Sequence, residues 1–184
     1  MKTGQIIQKA SLNGWEMVFR FPKKSDVEGL RDFINELSKE RTFLRFQGEQ
    51  VSLEEEEQYL TDLLDKLKQN KAIIVLAIHE GKIVGSADIK LGQKTDRHVG
   101  MFGIALSKEY RDQGLGTYLM KLILEQAQTN MPELEIVKLG VQAPNKRAFH
   151  LYQKLGFKQY GLLPDGVKLE QGYRDRIFMY RRVK

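Results

Sequence analysis

Cysteine is absent from this chain of 184 residues. Its absence excludes disulfides, a thiol nucleophile and any cysteine metal site, and it accords with a cytoplasmic setting. No apolar run approaches the roughly 20 residues that cross a bilayer. Met1 to Ala10 is polar and lacks the apolar stretch of a signal peptide. Internal repeats, low-complexity tracts and linkers are missing as well. The expectation is one domain over residues 1–184, cytoplasmic and without a membrane partner. Hydrophobic residues make up 41% of the chain, enough to build a core rather than a disordered segment.

The formal net charge is +6. Much of the excess sits near the end, at Arg174, Arg176, Arg181, Arg182 and Lys184. Such a balance reads either as a solvated surface or as a basic rim that attracts a phosphate-rich molecule. It lacks the interleaving of basic and aromatic residues that marks a single-strand nucleic-acid platform.

Two apolar stretches within residues 5–22 flank Asn13-Gly14, a type I′ turn signal. Ser25-Asp26-Val27-Glu28 offers a capping box for a first helix, with Leu30, Phe33, Ile34 and Leu37 at helical spacing. A second helix starts near Ser52, and the run Glu54 to Glu57 falls in its first turn, where carboxylates favour the dipole. Ala72 to Ile78 reads as a strand buried on both faces. It turns at Glu80-Gly81-Lys82 into a strand over 83–91. A further strand covers 98–106, a helix 114–128, a strand 136–141, and a short helix runs from Asn145 to Leu155, stopped by Gly156. Strands over 159–169 and 173–183 close the chain, with turn signals at Asp165-Gly166 and Gln171-Gly172. This order fits an α/β (α+β) fold with one central sheet and helices on both faces.

The informative segment is Arg111-Asp112-Gln113-Gly114-Leu115-Gly116, which joins a strand ending at Ile104-Ala105-Leu106 to a helix. Unpaired N–H groups at a helix N-terminus, approached closely through glycines, form an anion site. A P-loop requires Gly-Lys-Ser/Thr after its second glycine, but Thr117-Tyr118 stands there. A Rossmann fingerprint requires a third glycine where Leu119 stands. Both readings fail.

Some thirty residues on comes Asn145-Lys146-Arg147-Ala148-Phe149-His150-Leu151-Tyr152, ending in Leu155-Gly156-Phe157. The two motifs together resemble the GNAT superfamily of N-acetyltransferases of bacterial type. The resemblance implies a mixed sheet of about six to seven strands with a splayed pair, here 98–106 and 136–141. It implies acetyl-CoA as cosubstrate and a primary amine as acceptor, either a small molecule or a peptide or protein N-terminus. Backbone groups of Ile104, Ala105 and Leu106 would hold the acetyl-pantetheine arm, with Gly103 placed for a bulge. The loop and helix start, Arg111, Asp112, Gln113, Gly114, Leu115, Gly116 and Thr117, would hold the diphosphate, with side-chain donors from Arg111 and Gln113. Asn145 would bond the cofactor as well as cap its helix. Tyr152 would serve as general acid toward the leaving thiolate.

Some relatives carry a glutamate on the strand before the loop. This chain reads His98-Val99-Gly100-Met101-Phe102-Gly103 and has none. Asp88, expected to pair close to Met101, is the candidate base. The basic C-terminal stretch leaves open an alternative, a non-catalytic module of the same fold that keeps acetyl-CoA or docks on RNA or the ribosome. A homodimer is compatible with the sequence, and no metal site is expected.

Overall fold

Asn13 and Gly14 both adopt positive φ, 49° and 84°, and turn β1 (Ile6–Leu12) back onto β2 (Trp15–Arg20). Asparagine and glycine tolerate the left-handed region that a two-residue I′ turn demands. The computed structural model describes residues 1–184 in full. The remaining elements are α1 (Val27–Lys39), α2 (Leu53–Lys68), β3 (Ala72–His79), β4 (Lys82–Leu91), β5 (Val99–Leu106), α3 (Leu115–Asn130), β6 (Ile136–Gln142), α4 (Lys146–Lys154), β7 (Lys158–Leu169) and β8 (Gly172–Arg182). The sheet has eight strands in the order β1-β2-β3-β4-β5-β6-β8-β7, not six or seven. The count rises because both strands of the opening hairpin join it, β2 pairing antiparallel with β3.

The residues fall into two compact units. The first comprises Met1–Lys90 and Gly103–Pro132, the second Leu91–Phe102 and Glu133–Lys184. β5 is divided between them.

In the first unit β3 is buried along almost its whole length. One of its faces, Ala72, Ile74, Leu76 and Ile78, packs with Leu30 of α1 and with Leu60, Leu63 and Leu64 of α2. Side chains alternate along a strand, so Ala77 points the other way, where Leu119 of α3 lies beside it across Gly85. A Cβ on Gly85 would stand 2.8 Å from Leu106 and 3.5 Å from Leu119. Each buried leucine contributes about 1.5–3 kcal/mol, so this two-sided packing around β3 is the main support of the unit.

The start of α1 differs from expectation. Ser25 does not cap it. Asp26 precedes the helix and makes no side-chain cap bond to it. Its carboxylate instead takes a bidentate bond from Arg20 at 2.6 and 2.7 Å and one from the Lys23 N–H at 2.8 Å. A planar guanidinium and one backbone N–H ahead of the helix together hold this buried carboxylate away from the N–H groups of α1. α2 begins as expected, with a reciprocal capping box between Ser52 and Glu55.

In the second unit β6 pairs antiparallel with β8 over its full length, and β8 with β7. Asp165-Gly166 does not turn the chain. It lies inside β7, where the register with β8 slips between Leu163 and Val167. Asp165 has φ 53°, and its N–H donates to Asp175 Oδ1 at 3.0 Å, so the Asp-Gly pair forms a bulge. The turn is made by Glu170 and Gln171, one residue earlier than the Gln171-Gly172 signal, and Gly172 opens β8 paired with Leu169. The parallel β5–β6 register holds only from Val99↔Ile136 to Met101↔Lys138. β5 then runs on to Leu106.

Candidate active site

Asp112 and Gly114 take positive φ, 63° and 84°, on either side of Gln113. This alternation turns successive N–H groups outward, as in an anion nest. Gly114 caps α3 from the left-handed region with no side-chain bond. The first backbone bond of the helix is Tyr118 N–H to Gly114 O, 3.0 Å, so the N–H groups before it have no partner within the helix. Nothing lies within 4 Å of where a Gly114 Cβ would stand. The first turn carries no acidic residue. Open donors, a positive dipole end and free approach fit an anion with several oxygens, such as a diphosphate.

Arg111 does not aim into this nest. Its guanidinium makes a bidentate pair with Glu40 at the end of α1, 2.6 and 3.0 Å. It also donates through Nε and a second nitrogen to the Leu106 carbonyl, 3.0 and 2.8 Å. Arg111 therefore ties the α1 end, the β5 end and the loop together. It also fills the acceptor positions of Leu106, which keeps only its N–H for a ligand. Gln113 is tethered too. Asn13 donates to its carbonyl at 3.0 Å and to its Oε1 at 2.9 Å, leaving the Gln113 amide NH₂ as its donor. The hairpin tip thus holds the loop. Glu40 and Asn13 were not legible as partners, since they lie 71 and 100 residues from the groups they touch.

Gly103 is not a bulge. Gly92 N–H bonds Val99 O, and Ser107 N–H bonds Val84 O. Both pairs belong to one antiparallel register of β4 and β5, with no inserted residue between them. That register sets Asp88 opposite Gly103, two rungs from the expected Met101. The missing side chain makes room for the acid: a Cβ on Gly103 would stand 2.9 Å from Asp88 Oδ1.

Asp88 belongs to a cluster. Lys90 Nζ lies 3.3 Å from its Oδ2, donates to the Tyr59 hydroxyl at 2.8 Å and stands 4.8 Å from the centre of the Tyr59 ring. Burial raises the Asp88 pKa, opposed by Lys90. The Lys90 pKa is lowered by burial, but Asp88 and Tyr59 outweigh this and raise it overall. Glu56, one turn before Leu60 on the buried face of α2, is only 6% exposed. Burial pushes its pKa up to about 7, with Lys90 pulling the other way. The run Glu54 to Glu57 is thus not uniform. Glu55 caps, Glu54 and Glu57 face solvent, and Glu56 occupies a core position. Its spacing with Leu60, Leu63, Leu64 and Leu67 was the signal in the sequence.

In the second unit Asn145 caps α4, its Oδ1 accepting from Ala148 N–H at 3.1 Å. Its side-chain NH₂ remains as donor. Tyr152 is 8% exposed, edge-on to Phe102 at 6.2 Å and 6.1 Å from Phe157. Burial pushes its phenol up to about 12.

The fold is shared with known proteins. Residues 31–157 match the acetyltransferase (GNAT) family, and the chain belongs to that family. A GNAT-family acetyltransferase from Streptococcus pneumoniae is 32% identical, superposes with a TM-score of 0.83, and the match covers 91% of this chain and 99% of that one. The L-amino acid N-acetyltransferase AaaT of Escherichia coli is 28% identical over 108 residues, 58% of this chain and 66% of its own. Spermidine N(1)-acetyltransferase of the same organism is 35% identical over 80 residues, 42% of this chain and 41% of its own. The chain spans between about two fifths and two thirds of the length of the curated relatives it matches. No helix is long and apolar enough to cross a membrane.

Proposed function

We propose that the chain is an acetyl-CoA-dependent N-acetyltransferase that acts on a primary amine, a small molecule or a peptide or protein N-terminus. The observation that carries this reading is the open backbone nest at Gly114, at the start of a helix that follows directly on β5. When bound, acetyl-CoA supplies an acyl group activated as a thioester.

The backbone N–H groups of Gln113 to Thr117 hold the diphosphate. Arg111 acts one step back, by fixing the loop to Leu106 and Glu40, and Asp112 shapes it by its left-handed φ. The Ile104 N–H polarises the acyl carbonyl, an oxyanion-hole role, while Ala105 and the Leu106 N–H line the arm. Asn145 donates to that arm through its NH₂.

An alkylamine has a pKa of about 10.4, so holding it neutral at pH 7 costs roughly 4–5 kcal/mol. Asp88, set over Gly103 and next to Ile104 in β5, takes that proton. The nitrogen then forms its bond to the acyl carbon as the carbon–sulfur bond breaks, and its second proton passes to the departing sulfur, which leaves as the thiol. Tyr152 stabilises the departing sulfur. A phenol near 12 is a poor proton donor to a thiolate with a pKa of about 8.5, so Tyr152 donates a hydrogen bond rather than its proton.

The test is thiol release from acetyl-CoA over spermidine, free L-amino acids and an alanine-terminated peptide, with binding followed by calorimetry. Gly114→Glu places a carboxylate in the nest and abolishes acetyl-CoA binding while the fold remains. Unchanged affinity refutes the nest. Tyr152→Phe lowers turnover about 10²-fold, the low end of acid–base contributions, with little change in acetyl-CoA affinity. Tight acetyl-CoA binding without turnover on any amine refutes the enzyme reading and favours a non-catalytic module.

A further inference from the structure

Along the chain, basic and aromatic residues of the last strands do not interleave, but on the sheet they do. Successive side chains of a strand point to opposite sides. In β8, Ile177 and Met179 point inward and are buried. On that side Arg181 donates to the Leu155 carbonyl at the end of α4, 2.8 Å. Arg176, Phe178, Tyr180 and Arg182 take the other side. Their register partners share it: Lys138 of β6 and Lys158 of β7 flank Tyr180, while Gly140 and Gly161 flank Phe178. Tyr160 lies in the irregular step of β7 beside Gly161. Its ring turns to the same face, 6.1 Å from Phe178 and 5.8 Å from Tyr180, and the residue is 55% exposed. All these residues belong to the second unit.

The two glycines leave Phe178 without a side chain beside it on either neighbouring strand. A Cβ at Gly140 would stand 3.7 Å from one edge of its ring, and a Cβ at Gly161 would stand 3.8 Å from the other. Gly140 also lets the stem of Arg176 lie close across β6, since a Cβ there would come within 3.3 Å of Arg176 Cδ. No Asp or Glu occurs in 136–142, 158–163 or 176–182. Lys138, Lys158, Arg176 and Arg182 have no ion-pair partner. One sheet face thus offers three neighbouring aromatic rings, four cations and no carboxylate.

We propose that this face of β6, β8 and β7 binds a short single-stranded nucleic acid: bases stack on Tyr160, Phe178 and Tyr180, and the four cations draw the phosphates. Aromatic rings beside a cationic track hold single strands with little regard to sequence, because every base has a flat face. Charge complementarity selects this occupant. A second copy docked by a two-fold axis would bring the four cations against their own counterparts, with no carboxylate to answer them. An acidic peptide would answer the cations but brings no row of flat groups for the rings. The inference does not rest on the acetyltransferase reading, since no residue of this face belongs to the nest.

The test is fluorescence anisotropy of a labelled oligouridylate of about 12 nucleotides, within the length one small platform covers, over a series of salt concentrations and with acetyl-CoA in excess. The logarithm of affinity is expected to fall with the logarithm of salt at a slope of about −3, at roughly 0.7 for each of the phosphates held. Lys138→Gln or Arg182→Gln is expected to reduce that slope by about 0.7. Tyr160→Ala, an exposed change whose folding is checked by its thermal midpoint, is expected to weaken binding about fivefold to 100-fold with the slope unchanged. Wild-type affinity in Tyr160→Ala removes stacking and overturns the proposal. Annealing the strand to its complement hides the base faces and is expected to weaken binding by about tenfold or more. Equal binding of that duplex, of oligoglutamate or of phosphatidylserine vesicles means that the face only attracts negative charge, and overturns the proposal. Displacement of the strand by acetyl-CoA would place its phosphates in the nest and overturns it too. So does a dimer, seen by sedimentation velocity, that Tyr160→Ala dissociates, because the face then belongs to a second copy.

Discussion

The carboxylate of Asp88 occupies the space that a side chain at Gly103 would fill, with Oδ1 2.9 Å from the position of the missing Cβ. Contact that close forces one partner to shift. Gly103→Ala is therefore expected to push Asp88 off its present position and disturb its pair with Lys90. The expected result is a stability loss of about 1–3 kcal/mol, typical of overpacking, and turnover reduced more than acetyl-CoA affinity. Urea denaturation and steady-state kinetics check the two parts. Full activity in Gly103→Ala would remove Asp88 from the chemistry.

Arg111 holds Glu40 and the Leu106 carbonyl with one guanidinium. A lysine keeps the charge but not the fork. Arg111→Lys is expected to destabilise by about 1–3 kcal/mol. Removing both partners, in Arg111→Met with Glu40→Gln, is expected to destabilise less than the sum of the single changes. A double-mutant cycle measured by urea denaturation gives that coupling. Strict additivity would mean that the pair does not hold the loop.

The Tyr118 hydroxyl is buried without a hydrogen-bond partner, while its ring lies 4.8 Å from that of Phe19. Tyr118→Phe keeps the ring contact and removes the unsatisfied group. It is expected to stabilise the protein by about 1 kcal/mol, read as a rise in the thermal midpoint. A fall would mean that the hydroxyl has a partner in solution.

Glu56 binds its proton more tightly in the folded protein than its ordinary value of 4.5, up to about 7. Between these two values the folded state holds more protons than the unfolded state, so stability falls as pH rises. Below 4.5 the group contributes no penalty, and above about 7 the penalty is complete, on the order of 3 kcal/mol at most. Glu56→Gln removes it. The variant is expected to match wild type near pH 4.5 and to be increasingly more stable up to pH 8. Denaturation curves at a series of pH values check the slope, and equal stability at both ends would mean that Glu56 ionises freely.

Local signals told much of this protein from its sequence alone. The Asn13-Gly14 turn, the Ser52–Glu55 capping box, the apolar run of β3, the helix start at Gly114 and the stop at Gly156 each depend on residues within a few positions of one another. Backbone propensity and short-range bonding decide such features, and the sequence displays both. The paired motifs from Arg111 to Phe157 carried the family for the same reason: their function lies in backbone geometry that glycine and asparagine impose locally.

Tertiary structure alone decided where the long side chains go. Arg111 reaches Glu40 rather than a phosphate, Asp26 answers Arg20 rather than its helix, Asp88 faces Gly103 rather than Met101, and Glu56 turns inward while Glu54 and Glu57 face water. Each choice is a competition for a charge partner between residues far apart in the chain. Its outcome depends on distances and burial that exist only once the strands and helices have met.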